Sequence, residues 1–580
     1  MILLFSRKSL ILVGLPSSTR QSLKAPFSKL AFILNVSAIK NTMVKKVAVV
    51  GAGCSGLPTI KCCLDEGLEP TCFERTEDIG GLWRFKENPE EGRASIYNSV
   101  ISNTSKEMTC YSDFPMPEDY PNYMHNSKLL QYFRLYAEHF KLLQYIRFKT
   151  TVCSIRKRPD FSMTGQWDVT SECNGKQQTE IFDAVLICIG HHCTQNLPLH
   201  NFPGIENFKG QYLHSRQYKN PHPFKNKRII VVGIGNTAVD LVVELSSVAK
   251  QVYLSTRRGA WIVNRVCDNG YPLDTVQSTR FNCIVQGMIP VLTNKLIESK
   301  INARVNHDNY GLTPQHRFLS QQPTVSDTLP NRIISGKVLL KTNVKRFTET
   351  DVIFEDGTVE KDIDVVIFAT GYVFSLPFLE ESVLKVQNNE ISLYKMIFPP
   401  NLEKPTLGCI GYIQPSGAFM PIAEMQARWA TRVFKGLHQL PLVEGMRKEI
   451  TERKQKIQSR YFKSKRHTLQ VGYVSYMDEI ATEIGCKPDV RKVMLADPKL
   501  GWELFFGPCS PYQYRLFGPG KWKGARQAIL TQMDRIIKPT KTRVLKNDDI
   551  TQASLPFGFK PFGFKILGIL MVFVAMYAMI

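Results

Sequence analysis

The sequence predicts an α/β protein of two dinucleotide-binding (Rossmann-like) domains, one inserted in the other, followed by a C-terminal hydrophobic membrane anchor. Two glycine fingerprints predict it first. Gly51-Ala52-Gly53-Cys54-Ser55-Gly56 directly follows the apolar run Val47–Val50, and Gly233-Ile234-Gly235-Asn236-Thr237-Ala238 directly follows Ile229–Val232. A strand, a tight glycine turn and a helix N-terminus form a pyrophosphate seat, because bare backbone N–H groups and the helix dipole face the anion. The second observation is the residue met at the same distance past each leading glycine. It is Glu74 in the first unit and Thr256 in the second, with Arg257 and Arg258 next. A carboxylate there bonds the ribose hydroxyls of FAD or NAD, whereas arginines favour the 2′-phosphate of NADP. The chain therefore reads as binding FAD first and NADPH second. Third, two apolar strands end at Gly190 and Gly371, the crossing points expected where the chain leaves and re-enters the FAD domain.

The elements follow in order. From Met43 the pattern is strand, glycine turn and helix to about Glu66, then a strand over Glu69–Glu74. Pro58 falls where that helix begins, tolerable only near the first turn, where its missing N–H has no partner to lose. Gly80-Gly81-Leu82-Trp83 is a turn whose aromatic is placed to wall a flavin. Ser127–His139 has helical spacing, with Ser127 as the expected N-cap. Gln166–Thr170 alternates as a strand, and Ala184–Ile189 is a buried one. The Pro-broken stretch Asn201–Asn226 reads as a linker. The second α/β unit runs over Lys227–Arg258, with Ala238 in place of the third glycine, a variant that keeps helix–strand packing close. An insertion rich in helix and loop is expected over about 261–331. Strands resume near Val338–Leu340 and Val352–Phe354, with a turn at Asp356-Gly357. Asp364–Tyr372 is the next buried strand and Pro421–Val433 a helix. The domains drawn from this begin with an N-terminal extension (1–42) and the first segment of the FAD domain (43–195). The NADPH domain (196–365) interrupts it. The second FAD-domain segment with C-terminal helices (366–535) follows, then a basic linker with the anchor (536–580).

Composition narrows the function classes. At 580 residues the chain needs two or three cores. Its formal net charge of +23 is spread out, with clusters at Arg453–Arg466 and Arg535–Lys546, and no block resembles a nucleic-acid arm. No nucleic-acid partner is expected. The 14 cysteines include no C-x-x-C pair, the usage of a reduced, cytosol-facing protein, and no zinc or other metal site is expected. Ile566–Ile580 is uncharged and preceded by Lys560 and Lys565. It is shorter than the ~20 residues of an untilted span and reads as a tail anchor in or partly through a bilayer. A C-terminal core helix is the other reading. Arg535, Lys538, Lys541, Arg543 and Lys546 suit an anionic cytosolic leaflet. The first 42 residues lack Asp and Glu and resemble a targeting segment or an upstream start, outside the fold.

FAD plus NADPH implies hydride transfer into the flavin. Disulfide reductases need a redox cysteine pair, which this chain lacks, so dioxygen is the simplest acceptor. Here a resemblance enters. Phe208-Lys209-Gly210-Gln211-Tyr212-Leu213-His214-Ser215-Arg216-Gln217-Tyr218 resembles the F-x-G-x-x-x-H-x-x-x-(F/Y) fingerprint of the flavin-containing monooxygenases (dimethylaniline monooxygenases, N-oxide-forming). Asn98–Lys106, Met124–Ser127 and Phe368–Tyr372 continue the match, from Met43 to the apolar tail. The run Ser255–Arg265 is most similar to the flavin-containing monooxygenase 5 type. The resemblance implies that NADPH reduces FAD before substrate arrives, and that NADP⁺ then shields a C4a-(hydro)peroxyflavin. A small lipophilic amine or sulfide is oxygenated with O2, or, in the type-5 branch, a ketone undergoes Baeyer–Villiger oxidation to an ester. It also implies an endoplasmic reticulum membrane protein whose catalytic part faces the cytosol; oligomerisation stays open. The alternatives are an NADPH oxidase releasing hydrogen peroxide, and a catalytically lapsed membrane-bound nucleotide-binding protein.

Residue roles follow from both readings. Gly51, Gly53, Ser55 and Gly56 seat the FAD pyrophosphate, Glu74 holds its ribose, and Gly81, Leu82 and Trp83 lie along the flavin. Gly233, Gly235, Asn236 and Thr237 line the NADP turn. Thr256 and Arg257 are assigned to the 2′-phosphate; family position prefers Arg257, while from physics alone Arg258 serves equally. The resemblance places Asn103 at the flavin edge as the catalytic amide donor, with Thr104 beside it. Read without the resemblance, Asn103 is a turn residue. His214 is expected to shape the way into the NADPH domain rather than to act as a base.

Overall fold

The computed structural model describes residues 44–462, 464 and 467–543; the N-terminal extension and the apolar tail expected from the sequence lie outside them. Strand β1 (Lys46–Val50), helix α1 (Gly56–Asp65) and strand β2 (Glu69–Phe73) form the first β–turn–α–β unit, with β1 and β2 paired in parallel. Helix α2 (Asn126–His139) leads to a short strand β3 (Ile146–Arg147) beside β2. An antiparallel meander follows, β4 (Thr150–Lys157), β5 (Trp167–Cys173) and β6 (Lys176–Phe182). The chain then returns as β7 (Ala184–Ile187) against the other side of β1. All four residues of β7 are buried, as a strand covered on both faces requires.

The chain next builds a second parallel sheet. Its strands are β8 (Gln211–His214), β9 (Arg228–Val232), β10 (Gln251–Ser255), β11 (Val338–Lys341) and β12 (Val365–Phe368), in the order β11-β10-β9-β12-β8, with helix α3 (Asn236–Leu245) after β9. Between β10 and β11 lies the insertion, which includes helices α4 (Arg280–Met288) and α5 (Pro290–Arg304). A final strand, β13 (Leu407–Cys409), joins the first sheet outside β7, giving the order β13-β7-β1-β2-β3. The second sheet thus interrupts the first. Helix α6 (Met420–Phe434), buried over nearly its whole length, follows β13. Among the described residues no helix is long and apolar enough to cross a membrane.

Three expectations need correcting. Helix α2 starts at Asn126, and its cap is His125 rather than Ser127. His125 Nε2–H donates to Asn98 O (2.7 Å), which leaves Nδ1 to accept the Ser127 backbone N–H at 3.3 Å. An imidazole in the right tautomer can do what a hydroxyl does, and a residue-type preference does not reveal it. The Asn201–Asn226 stretch is no mere linker either: its Gln211–His214 segment pairs with β12 as the edge strand of the second sheet. The boundary expected at 365/366 falls inside β12, which pairs along its whole length in that sheet, so the chain leaves it only after Phe368.

Buried charges brace the first sheet. Arg515 reaches Glu424 at 2.8 Å and Asp113 at 3.0 Å, and Lys61 on α1 reaches Asp113 at 3.0 Å. Helix α1 is thereby tied to α6 and to the segment before the last helix. Breaking such a set by removing one partner leaves an uncompensated buried charge, so the position of α1 is strongly specified.

Candidate functional site

The first glycine turn is dictated by close backbone approaches. Gly51 takes φ +100°, and a Cβ there would sit 3.1 Å from Cys188 O. At Gly56 a Cβ would lie 1.8 Å from Gly51 O, so only glycine lets α1 start against the turn. Gly51 N–H donates to Phe73 O (2.9 Å), which brings the end of β2 to the turn. Glu74, the next residue, is only 6% exposed. Its Oε2 accepts Ala52 N–H at 2.9 Å, and its Oε1 accepts Thr76 N–H at 2.9 Å and Thr76 Oγ–H at 2.7 Å. The carboxylate is fixed at the turn, a prepared acceptor for ribose hydroxyls. Gly81-Leu82-Trp83 forms a 3₁₀ turn laid over it: Gly80 N–H donates to Ala52 O at 3.1 Å, and a Cβ on Gly81 would come within 3.1 Å of Gly53 Cα. Ser55, buried, lies against Gly411, where a Cβ would meet its Oγ at 2.5 Å.

The second turn repeats the design. Gly233 N–H donates to Ser255 O at 3.0 Å, as Gly51 does to Phe73. Gly233 has φ +126°, and a Cβ on it would lie 2.6 Å from Ala369 O. A Cβ on Gly235 would meet nothing within 4 Å, so open space faces this turn. Thr237 is exposed there. Asn236 turns its Oδ1 to Val325 N–H (2.8 Å), and Thr324 Oγ–H donates to Ile234 O (2.6 Å), so the insertion buttresses the turn. Thr256 N–H pairs with Lys341 O at the strand end. The structure separates the two arginines left equal by physics. Arg258 stacks on the Phe462 ring at 3.9 Å, whereas Arg257 is exposed, with no hydrogen-bond or ion-pair partner among the described residues.

Asn103 sits where the two sheets and the insertion meet. The loop carrying it reaches α3 through Tyr97 Oη–H to Asp240 Oδ2 (2.6 Å) and Ser99 Oγ–H to Glu244 Oε2 (2.8 Å). Arg265 Nη2 donates to Asn103 Oδ1 at 2.8 Å. Arg265 is itself fixed by Asp327, through its backbone N–H (3.0 Å) and Nη1 (3.3 Å). With Oδ1 taken, the two Nδ2–H donors of Asn103 have no protein partner among the described residues. Thr104 pairs with Thr109 through their hydroxyls at 2.7 Å. Sequence reasoning gave Arg265 no role beyond ending the run Ser255–Arg265; its signal is a lone arginine closing the apolar stretch Ala260–Val263.

The match to known families decides the identity. The flavin-binding monooxygenase-like (FMO-like) family model matches residues 44–580. The chain belongs to this family. Flavin-containing monooxygenase 5 of Oryctolagus cuniculus is 60% identical to it, over 89% of this chain and 96% of that one. Dimethylaniline monooxygenase [N-oxide-forming] 2 of Rattus norvegicus is 58% identical, over 92% and 99%. Type 2 and type 5 relatives stand so close that overall identity does not separate the branch suggested by Ser255–Arg265. Among solved structures, S-allyl-L-cysteine S-oxygenase from Allium sativum shares the fold, with a TM-score of 0.59, 22% identity and coverage of 86% and 100%. So does ε-caprolactone-bound cyclohexanone monooxygenase, with 0.57, 17% and coverage of 78% and 98%. The protein is thus an NADPH-dependent flavin monooxygenase-type oxidoreductase whose cofactors are FAD and NADPH.

Within this monooxygenase, burial pushes the thiols of Cys54, in the first turn, and Cys188, beside it, up to about 12. Both stay protonated and unreactive at neutral pH. His214 is buried and lowered to about 4, chiefly by desolvation. Its Nδ1 accepts Arg216 N–H at 3.1 Å and its Nε2–H donates to Gly371 O at 3.0 Å. Both ring nitrogens are spent on pinning the end of β8 to the segment after β12. A separate polar cleft of about 350 Å³, lined by Lys61, Asp113, Arg428, Arg515 and Trp522 among others, contains no residue of either glycine turn.

Proposed function

We propose that the chain transfers one atom of dioxygen to a small lipophilic amine or sulfide and releases the other as water, consuming one NADPH. The observation that carries this is the pair of like-built turns with opposite charge at equivalent strand ends, Glu74 after Phe73 and Arg257 beyond Ser255. Bound FAD supplies a ring that accepts a hydride from NADPH and delivers the electrons to dioxygen. The first turn and Glu74 hold FAD; Gly233, Gly235, Asn236 and Thr237 line the seat of the NADPH pyrophosphate; Thr256 and Arg257 hold its 2′-phosphate. Gly81, Leu82 and Trp83 lie along the flavin. Asn103, its carbonyl oxygen held by Arg265, points amide hydrogens at the reacting oxygen, and the insertion shields that point from water. A second reading, ketone oxygenation to an ester, is favoured by Arg265, since positive charge beside Asn103 supports negative charge developing at the reacting oxygen. The reading includes attachment to the endoplasmic reticulum membrane through Ile566–Ile580, with the catalytic part on the cytosolic side.

The test offers one sulfide and one linear ketone to membrane-bound full-length protein under ¹⁸O2 with NADPH. One labelled oxygen in sulfoxide per NADPH is the expected outcome; labelled ester marks the second reading. NADPH consumed with only hydrogen peroxide formed defeats both and leaves an oxidase, and activity confined to the soluble fraction removes the anchor. Cofactor choice has its own test. Arg257→Ala removes a charge-assisted contact worth about 1.5–3 kcal/mol. The Kd for NADPH should rise roughly 10- to 150-fold while that for NADH stays nearly constant. Equal losses for both would show that this arginine does not meet the 2′-phosphate.

A further inference from the structure

The insertion grips the Asn103 turn a second time, two residues on. Asp274 Oδ2 accepts the Ser105 backbone N–H at 2.7 Å and Ser105 Oγ–H at 3.1 Å. Its other oxygen, Oδ1, is buried and has no hydrogen-bond partner among the described residues. No cation stands within ion-pair distance of Asp274 among those residues either. An asparagine would make the same two bonds to Ser105 without placing an unpaired carboxylate oxygen out of water. A charge kept at such a cost and bonded to Ser105, one residue past Thr104 and two past Asn103, marks a group whose ionisation is used.

We propose that Asp274 is a positioning residue for Asn103, and that ionisation of its carboxyl sets how firmly the Asn103–Ser105 turn is held. This rests on the reading of Asn103 as the amide that meets the reacting oxygen. Burial pushes the Asp274 carboxyl up to about 6, opposed chiefly by its bonds to Ser105. The titratable groups in electrostatic reach are Tyr123, Cys267 and Tyr473. Burial raises all three, so they keep their protons from pH 5 to 8, and Arg265 and Asp327 are occupied with each other. Above about 6 the ionised carboxyl holds Ser105 through charge-assisted bonds; below it the neutral acid holds more weakly. Stability runs the other way. A carboxyl raised on folding binds its proton more tightly in the folded state. The stability it confers is complete below the unfolded value near ~4 and is lost as pH rises through the folded one.

The two signs oppose each other, which a merely structural contact would not produce. Asp274→Asn in the full-length holoenzyme keeps an acceptor for Ser105 but no charge. Its Tm should exceed the parent's by about 2–4 °C at pH 8 and by roughly half as much at pH 5. Product formed per NADPH should fall about fivefold at pH 8, the loss expected when a charge-assisted bond becomes a neutral one. The parent's fall in coupling, with a midpoint near 6, should be absent from the variant. Ser105→Ala, as a second variant, should lower coupling while leaving the stability step intact. Equal Tm differences at both pH values, a midpoint retained by Asp274→Asn, or full coupling in Ser105→Ala would each overturn the proposal. A parent that forms no product at all would defeat the oxygenase reading, while the paired Tm measurements would still judge Asp274.

Discussion

Gly56→Ala should yield a folded chain that carries almost no flavin. Its Cβ would lie 1.8 Å from Gly51 O, and the obstacle is backbone rather than a side-chain tip. Helix α1 cannot retreat easily, because Lys61 on it is tied through Asp113 to Arg515. The turn must open instead, and with it goes the alignment of N–H groups that the pyrophosphate needs. Overpacking of this kind costs about 1–3 kcal/mol or more, which lowers FAD affinity by roughly fivefold to over a hundredfold. The flavin-to-protein absorbance ratio reports it directly. The second sheet is built entirely from residues after the turn, so NADP⁺ affinity should change little. Gly235→Ala is the matched control: its Cβ meets nothing of the protein within 4 Å, so FAD content should stay full. A fully flavinated Gly56→Ala protein would show that the first turn is not the FAD seat.

Asn103→Ala should leave both cofactors bound and uncouple their chemistry. The amide presents its Nδ2–H donors because Arg265 has claimed its oxygen. A fixed donor aimed at developing negative charge is worth roughly 10²- to 10³-fold in rate at comparable sites. The expected result is normal flavin reduction by NADPH under anaerobic conditions. Product per NADPH should then drop by about two orders of magnitude, with hydrogen peroxide in its place. Unchanged coupling in this variant would return Asn103 to the role of a turn residue. Slower flavin reduction would mean instead that the residue positions NADPH.

Much of this was legible in the sequence because the decisive demands are local. A backbone at positive φ, or one closer to its neighbour than a Cβ allows, shows itself as glycine wherever it occurs; Gly51, Gly56 and Gly233 carry that signature. The strands were legible for a similar reason, since β7, β9 and β12 are covered on both faces and read as unbroken apolar runs. Ser127 misled because capping depends on which acceptor geometry supplies, and the His125 imidazole, oriented by Asn98 O, supplied it first. The role of Gln211–His214 was hidden because an edge strand is defined by its partner, and that partner, β12, follows far later in the chain.

The sequence by itself therefore determined two glycine turns at strand ends and the sign of the charge beside each, for these follow from residues adjacent along the backbone. Only the tertiary structure decided what surrounds Asn103. Arg265 lies 162 residues from it, and Asp274 lies 169 residues from Ser105. Polar groups so far apart are paired by the path of the chain through the interrupted sheet, and no periodicity or spacing records that path. The same holds for Arg257 and Arg258, identical in type and adjacent in sequence. A single aromatic ring, Phe462, occupies one and leaves the other exposed, without a hydrogen-bond or ion-pair partner among the described residues.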